Sequence, residues 1–174
     1  MTDFKAEDNT GTSPVQDRHQ IDVAALTAFM RDSVVGFEGP LGLEEFAGGQ
    51  SNPTYLLTTP TRRYVLRRKP PGELLKSAHA VDREYKVLTA LADADVPTAK
   101  TYALCTDESV IGTWFYVMEY LEGRVIWDST EGPYSPEQRH QIWDAANSAV
   151  AKLHRVDYKA VGLSDFGKES DYIA

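Results

Sequence analysis

The sequence predicts an α+β fold in which five short strands form an antiparallel sheet flanked by helices. Three observations lead to this prediction. Five strand-like runs occur along the chain, the turns between several of them are short enough for hairpins, and other segments carry apolar residues at helical spacing. The predicted strands are Leu41–Phe46, Thr54–Thr58, Arg63–Arg68, Lys100–Cys105 and Thr113–Glu119.

Helices are predicted before, within and after this set of strands. Asp22 is a good N-cap for a helix that runs to about Ser33 and places Leu26 and Met30 on one face. A second helix, from about Ala80 to Ala92, falls between the third and fourth strands. The sheet is therefore expected to have a helix inserted between those two strands.

The last predicted element is a long helix that begins at Ser135. The segment Ser135–Gln138 is a capping box with proline at the first helical position. The other end of the chain differs, because residues 1 to about 20 are polar and predict a flexible tail. Order is expected to begin at Ile21.

Composition and charge exclude several classes of protein. The 174 residues carry a formal net charge of −8, which argues against nucleic-acid binding although basic residues cluster between Arg62 and Lys69. No apolar run reaches the roughly 20 residues needed to span a bilayer, and no signal peptide is evident, so no membrane partner and a cytoplasmic location are expected. The single cysteine, Cys105, excludes an internal disulfide and predicts a small buried side chain.

Three features have residue types suited to nucleotide chemistry, although each has an ordinary structural explanation. The turn Gly48–Pro53 offers backbone N–H groups to phosphate, or is only a turn. Arg67 on a strand and Glu84 on the next helix form a cation–carboxylate pair, or are two solvated side chains. The apolar strand in Phe115–Gly123 ends in a segment whose backbone can bind the edge of a base, or ends in a plain turn.

The order of these features resembles a known family. The segments that carry the resemblance are Gly48–Leu57, Arg63–Gly72, Ala78–Leu91, Val96–Lys100 and Phe115–Asp128. Together they resemble the aminoglycoside phosphotransferase family, and most closely the branch related to the kinase-like domains found with acyl-CoA dehydrogenases. The resemblance implies a protein-kinase-like N-lobe in residues 21–121, followed in 122–174 by a linker and the first helix of a helical C-lobe that the chain truncates.

The resemblance also implies roles for individual residues. It places a nucleotide-positioning loop above the phosphates, a strand cation with its helix carboxylate partner, and a hinge that holds adenine through the backbone. The strand cation is Lys in the wider family and Arg here, and Lys69, on the same face by strand alternation, is the alternative. The implied nucleotide-binding residues are Gln50, Ser51 and Asn52 of the loop, Arg67 and Glu84 of the pair, and Glu119, Tyr120 and Leu121 of the hinge.

The residues expected to perform the chemistry are missing from this sequence. Members of the family carry a His-Gly-Asp motif, a downstream Asn and a metal-binding Asp in the second lobe, and no His-Gly-Asp occurs here. Asp165-Phe166-Gly167 spells the metal motif of protein kinases, but no catalytic loop precedes it, so it is interpreted as a turn. No catalytic or metal-binding residue is therefore assigned, and Mg²⁺ ligands are expected beyond residue 174.

The predicted function is the ATP-binding part of an enzyme that transfers the γ-phosphoryl group of ATP to a hydroxyl of a small molecule. The resemblance favours a hydroxyacyl or other metabolite hydroxyl over an antibiotic as acceptor. Two alternatives remain open, namely an inactive kinase-like regulator that binds nucleotide and an α+β interaction domain that does not. In the second alternative Arg67 and Glu84 would be unpaired.

Overall fold

The computed structural model describes residues 10–47, 52–70, 80–126 and 133–167. The strands of its described residues are β1 (Thr12–Ser13), β2 (Gly42–Phe46), β3 (Thr54–Thr58), β4 (Arg63–Arg68), β5 (Thr101–Cys105) and β6 (Phe115–Glu119). They form one antiparallel sheet in the order β1-β2-β3-β4-β6-β5. The helices are α1 (Val23–Ser33), α2 (Val81–Ala90), α3 (Glu108–Ile111) and α4 (Pro136–His154).

The structure confirms the predicted α+β architecture, including the helix between the third and fourth predicted strands. β2, β3 and β4 form consecutive hairpins, and β4 then pairs with β6 rather than with β5. α2 fills the connection between β4 and β5 and contacts β5 and β6. This arrangement brings α2 beside the strands at the centre of the predicted site.

The chain becomes ordered earlier than the sequence analysis expected. β1 pairs with β2, with Thr12 opposite Phe46 and Ser13 opposite Glu45, so the sheet has six strands instead of five. A short 3₁₀ turn follows at Asp17–His19. Over residues 10–20 the prediction of a flexible tail is therefore wrong, because tertiary pairing supplies the order that the polar sequence does not encode locally.

The hydrophobic core lies between one face of the sheet and α1. Asp22 caps α1 by accepting hydrogen bonds from the N–H groups of Ala24 and Ala25. Leu26 and Met30 are fully buried, as the spacing predicted. They belong to the same cluster as the core-facing residues of the strands, Tyr55, Leu57, Tyr64, Leu66, Phe115 and Val117. The candidate functional site lies on the opposite face of the sheet.

The predicted turn between β5 and β6 contains α3, which the sequence analysis did not predict. Asp107 caps it through the N–H of Ser109, and Gly112 ends it with a φ of 82°. The long helix α4 has the predicted capping box at Ser135, but none of its residues is buried among the described residues. No helix in the described ranges is long and apolar enough to cross a membrane.

Candidate functional site

The predicted cation–carboxylate pair is present on the sheet face opposite α1. Arg67 extends from β4 towards α2, where its Nε lies 2.9 Å from Oε2 of Glu84. Both side chains are about one-third exposed. The pair is therefore accessible to a ligand and only partly shielded from solvent.

Two further side chains converge on Glu84. The amide Nδ2 of Asn52 donates to Oε1 at 3.1 Å, and the hydroxyl of Tyr116 donates to Oε2 at 3.1 Å. Burial raises the pKa of Tyr116 above its usual range, and the negative charge of Glu84 raises it further. The phenol consequently remains a neutral donor to the carboxylate at physiological pH.

The contact between Arg67 and Glu84 is close but poorly aligned for a hydrogen bond. Although Nε lies close to Glu84, this buried atom has no hydrogen-bond partner among the described residues. The contact is thus an ion pair by distance, without the alignment of a strong hydrogen bond. Glu84 therefore holds the cation in place by charge rather than by a well-aligned hydrogen bond.

A cavity of about 400 Å³ opens on the same face of the sheet. Val65 of β4, two residues before Arg67, and Met118 of β6 form part of its apolar wall. The three predicted hinge residues, Glu119, Tyr120 and Leu121, line its edge. The remaining lining residues are Thr10, Gly11, Phe46, Ala99, Gly123 and Val125.

The hinge residues differ in how much of their hydrogen-bonding capacity is already used. The N–H of Glu119 donates to the carbonyl of Lys100 at 2.8 Å, so this group is not available to a ligand. The ring of Tyr120 lies under the guanidinium of Arg63, with 4.3 Å between Cζ and the ring centroid. Leu121 is 59% exposed. Contacts to a base edge must therefore come from the other backbone groups of this segment.

The family model for the phosphotransferase enzyme family matches residues 42–174, which include the ion pair and every lining residue of the cavity except Thr10 and Gly11. The chain belongs to the phosphotransferase enzyme family. It is also 51% identical to a Ralstonia eutropha JMP134 protein whose crystal structure is described as that of a "putative aminoglycoside phosphotransferase". The two superpose with a TM-score of 0.76 over 88% of this chain and 44% of that one.

Curated relatives of this phosphotransferase-family chain are larger proteins named as acyl-CoA dehydrogenases. It is 45% identical to "Probable acyl-CoA dehydrogenase IBR3" of Arabidopsis thaliana, matching 91% of this chain and 20% of that protein. It is 42% identical to mouse "Acyl-CoA dehydrogenase family member 10", over 93% of this chain and 15% of the relative. It is 39% identical to the human "Acyl-CoA dehydrogenase family member 11", and the match covers 89% of this chain and 20% of that protein. These matches confirm the resemblance to the kinase-like branch found with acyl-CoA dehydrogenases.

The basic residues of β4 do not form a single surface in this phosphotransferase-family chain. Arg63 contacts Glu122 and Tyr120, and Arg67 contacts Glu84. The alternative phosphate ligand, Lys69, instead places its Nζ 3.8 Å from the ring centroid of Trp114. The local cluster of positive charge is therefore divided among separate partners.

Arg68 is a residue whose position the sequence analysis missed. It is only 3% exposed and lies beside the ring of Tyr55, with 5.4 Å between Cζ and the ring centroid. Strand alternation could have signalled it, since residues 64, 66 and 68 share the core face of β4. Tyr116 was also missed, although its register opposite Arg67 follows once β4 is paired with β6.

The structure describes one of the three predicted loop residues. Asn52 lies at the ion pair, whereas Gln50 and Ser51 lie outside the described residues. Among the described residues, no group of three or more His, Cys, Asp or Glu side chains could hold a metal ion. Asp165-Phe166-Gly167 lies in a turn and contacts α2: the Nζ of Lys86 lies 2.5 Å from Oδ1 of Asp165, and Arg83 donates to the carbonyl of Phe166.

Proposed function

We propose that residues 21–121 are the ATP-binding lobe of a small-molecule phosphotransferase, and that residues 122–174 are the linker and the start of its helical lobe. One observation carries the proposal. The cavity lined by the hinge and the Arg67–Glu84 pair lie on the same face of the sheet, and β4 contributes Val65 to the cavity and Arg67 to the pair. A flat apolar base and a charged phosphate chain need neighbouring sites of these two kinds.

The described residues fit the organic and anionic parts of ATP. The cavity has about 400 Å³, within the range of roughly 300–1,000 Å³ that is usual for small-molecule sites. Val65 and Met118 supply apolar surface to a base, while Glu119, Tyr120 and Leu121 supply backbone groups at its edge. Arg67, held by Glu84, supplies positive charge to the phosphates.

The described residues do not fit Mg²⁺ in the same way, because they contain no cluster of three potential ligands. The metal ligands and the aspartate that positions the acceptor hydroxyl are proposed to lie beyond residue 174. Magnesium would neutralise charge on the phosphates when bound. In the proposed reaction the acceptor oxygen forms a bond to the γ-phosphorus, the bond to ADP breaks, and the hydroxyl proton passes to a base outside this chain.

The proposed acceptor is a hydroxyl of a small metabolite. The family comprises phosphotransferases, and the curated relatives carry names of enzymes that act on acyl-CoA compounds. A hydroxyacyl compound is therefore favoured over an aminoglycoside. The chain spans 20% or less of these relatives, so this preference concerns the whole enzyme rather than a pocket within the present residues.

The decisive measurement is ATP affinity, obtained by NMR titration of the unaltered protein and of Arg67→Ala. Removing the guanidinium should weaken binding about tenfold, which corresponds to about 1.4 kcal/mol, because the phosphates lose a charged donor. The control is Arg31→Ala, which removes an exposed arginine from α1 on the opposite side of the sheet. Equal losses in both variants would contradict a specific phosphate contact.

A second variant addresses the base end of the site. Val65→Phe should fill part of the cavity next to Met118 and weaken ATP binding while leaving the Arg67–Glu84 pair in place. Failure of the unaltered protein to bind any adenine nucleotide would favour the interaction-domain alternative. That alternative is already disfavoured, because Arg67 and Glu84 are paired.

A further inference from the structure

Residues 10–20, here called the N-terminal strap, run along the outer edge of the sheet beside β2. Two residues of the strap, Thr12 and Ser13, pair with β2 opposite Phe46 and Glu45. The carbonyl of Gly11 accepts a hydrogen bond of 3.1 Å from the N–H of Ala47. The strap is thus joined to β2 by backbone pairing as far as the last described residue before the glycine-rich turn.

A buried carboxylate holds the middle of the strap. Glu45 is only 5% exposed, and its Oε2 accepts a hydrogen bond of 3.1 Å from the N–H of Gln16. Its Oε1 lies 2.6 Å from Nδ1 of His19. The hydroxyl of Tyr55 donates to the carbonyl of His19 at 3.0 Å, so the strap is also held by β3. Detaching the strap would leave the buried carboxylate of Glu45 without its partners. This cost opposes release of the strap.

The first two residues of the strap reach the candidate nucleotide cavity. Thr10 and Gly11 line this cavity together with Phe46 of β2 and the hinge residues. Gly11 has a φ of 86°, a conformation that glycine adopts readily and other residues do not. About 400 Å³ remains open beside it, so the strap is a wall of the cavity and does not fill it.

We propose that the N-terminal strap is part of the nucleotide site and closes the cavity around the base. This inference rests on the proposed function, and it adds residues 10 and 11 to the parts of β2, β4, β6, α2 and the hinge that form the rest of the site. The Glu45 contacts fix the path of the strap, and the conformation of Gly11 directs its end to the cavity wall. ATP binding and ordering of residues 10–13 are consequently coupled.

The first experiment compares Gly11→Ala with Gly36→Ala. Gly36 has a φ of 76°, and at both glycines the position that a Cβ would occupy has no neighbouring atom within 4 Å, so both substitutions act through the backbone alone. Gly36 lies between α1 and β2, away from the residues that line the cavity. Gly11→Ala should raise the Kd for ATP about fivefold, equivalent to about 1 kcal/mol, whereas Gly36→Ala should leave it unchanged.

A second readout separates a role at the site from a purely structural role. Amide hydrogen exchange of residues 10–13 should slow when ATP is added to the unaltered protein, and Gly11→Ala should abolish that change. A lower melting temperature alone would not produce a nucleotide-dependent difference. If exchange of residues 10–13 is the same with and without saturating ATP, the proposal is wrong.

Deletion of residues 1–11, compared with deletion of residues 1–9, tests the same wall without a strained backbone. Both proteins keep Gln16 and His19, which hold Glu45, and the two residues that pair with β2, so we expect the fold of the sheet to be retained. The longer deletion should bind ATP about fivefold more weakly than the shorter one. Equal affinities would overturn the strap proposal and leave the proposed function intact. Absence of ATP binding in the unaltered protein would overturn both.

Discussion

Glu84 is the residue on which the polar contacts of the site converge. It pairs with Arg67 and accepts hydrogen bonds from Asn52 and Tyr116, which belong to three different segments of the sheet region. A carboxylate with this set of partners connects α2 to the loop before β3, to β4 and to β6. Removing this carboxylate should lower the free energy of unfolding and change the orientation of Arg67.

Glu84→Ala should lower the free energy of unfolding by about 1 to 2 kcal/mol, because it leaves partly buried donors without their acceptor. Glu84→Gln keeps one of the two acceptor oxygens and should cost less. Urea unfolding of both variants provides the measurement, with Asp93→Ala as a control at an exposed carboxylate, expected to stay within about 0.5 kcal/mol of the unaltered protein. A loss no larger than that of Asp93→Ala would show that the contacts around Glu84 contribute little.

Tyr55 makes stability depend on pH in the alkaline range. Burial raises its pKa from 10.0 to about 12, and the nearby Glu45 carboxylate adds to the increase although Arg68 opposes it. Since the folded-state pKa is raised, the contribution is complete below pH 10 and is lost as the pH rises towards 12. The free energy of unfolding should fall by about 2 to 3 kcal/mol over this pH range.

Urea unfolding should therefore show a stability that declines between pH 10 and pH 12, and Tyr55→Phe should reduce that decline. The same substitution removes the hydrogen bond to the carbonyl of His19, so it should be more destabilising at pH 8 than at pH 11.5. An equal cost of Tyr55→Phe at the two pH values would be inconsistent with the raised pKa.

At the scale of single residues, the sequence predicted the partner of a side chain where the strand assignment and the charge together specify that partner. Arg67 and Glu84 could be paired from their order along the chain and the family resemblance. Arg68 could not be distinguished from its neighbours by charge, and its burial beside Tyr55 depends on which face of β4 meets α1. The partner of Lys69, Trp114, likewise depends on the pairing of β4 with β6.

At the scale of elements, α2 is held from two sides. Its inner side carries Glu84 into the site, and its outer side contacts the turn that contains Asp165 and Phe166. The guanidinium of Arg83 donates to the carbonyl of Phe166 at 2.8 Å and lies 4.5 Å from the centroid of its ring. The Asp165-Phe166-Gly167 turn therefore supports the helix that positions the ion pair.

Arg83→Ala should loosen α2 without unfolding the sheet. Loss of an exposed cation–π contact and its hydrogen bond is expected to cost about 0.5 to 1 kcal/mol. Hydrogen exchange should become faster in α2 and in residues 163–167, while the amides of β3 and β4 keep their protection. Arg31→Ala, on α1, is the matched arginine control and should leave the exchange of α2 unchanged.

Elements with local start signals were predicted well. Asp22 and the Ser135 capping box are read from neighbouring residues, and both caps are present. β1 and α3 were not predicted, because two residues of strand and four of helix give no periodic pattern. β1 exists through its pairing with β2 and the contacts of Glu45, which a single sequence does not display.

At the scale of the whole molecule, the described residues make one sheet-based lobe and a helix that buries none of its side chains. Trp143, Val150 and Leu153 of α4 are each about half exposed. The chain corresponds to 44% of the solved Ralstonia relative and 20% or less of the Arabidopsis and mouse relatives. The sites that ATP chemistry requires are accordingly expected to be divided between these residues and others.

That division predicts how ATP binding by residues 1–174 should respond to magnesium. The proposed base and phosphate contacts, at the cavity and Arg67, lie within the chain, whereas no cluster of metal ligands occurs among its described residues. Most of the phosphate charge in such enzymes is neutralised by metal ions. Binding of ATP should therefore be weak and change little with Mg²⁺, and no phosphoryl transfer should occur. Titrations with and without Mg²⁺ and a phosphate-transfer assay test this together, since magnesium-dependent turnover by residues 1–174 would mean that the catalytic residues lie within them.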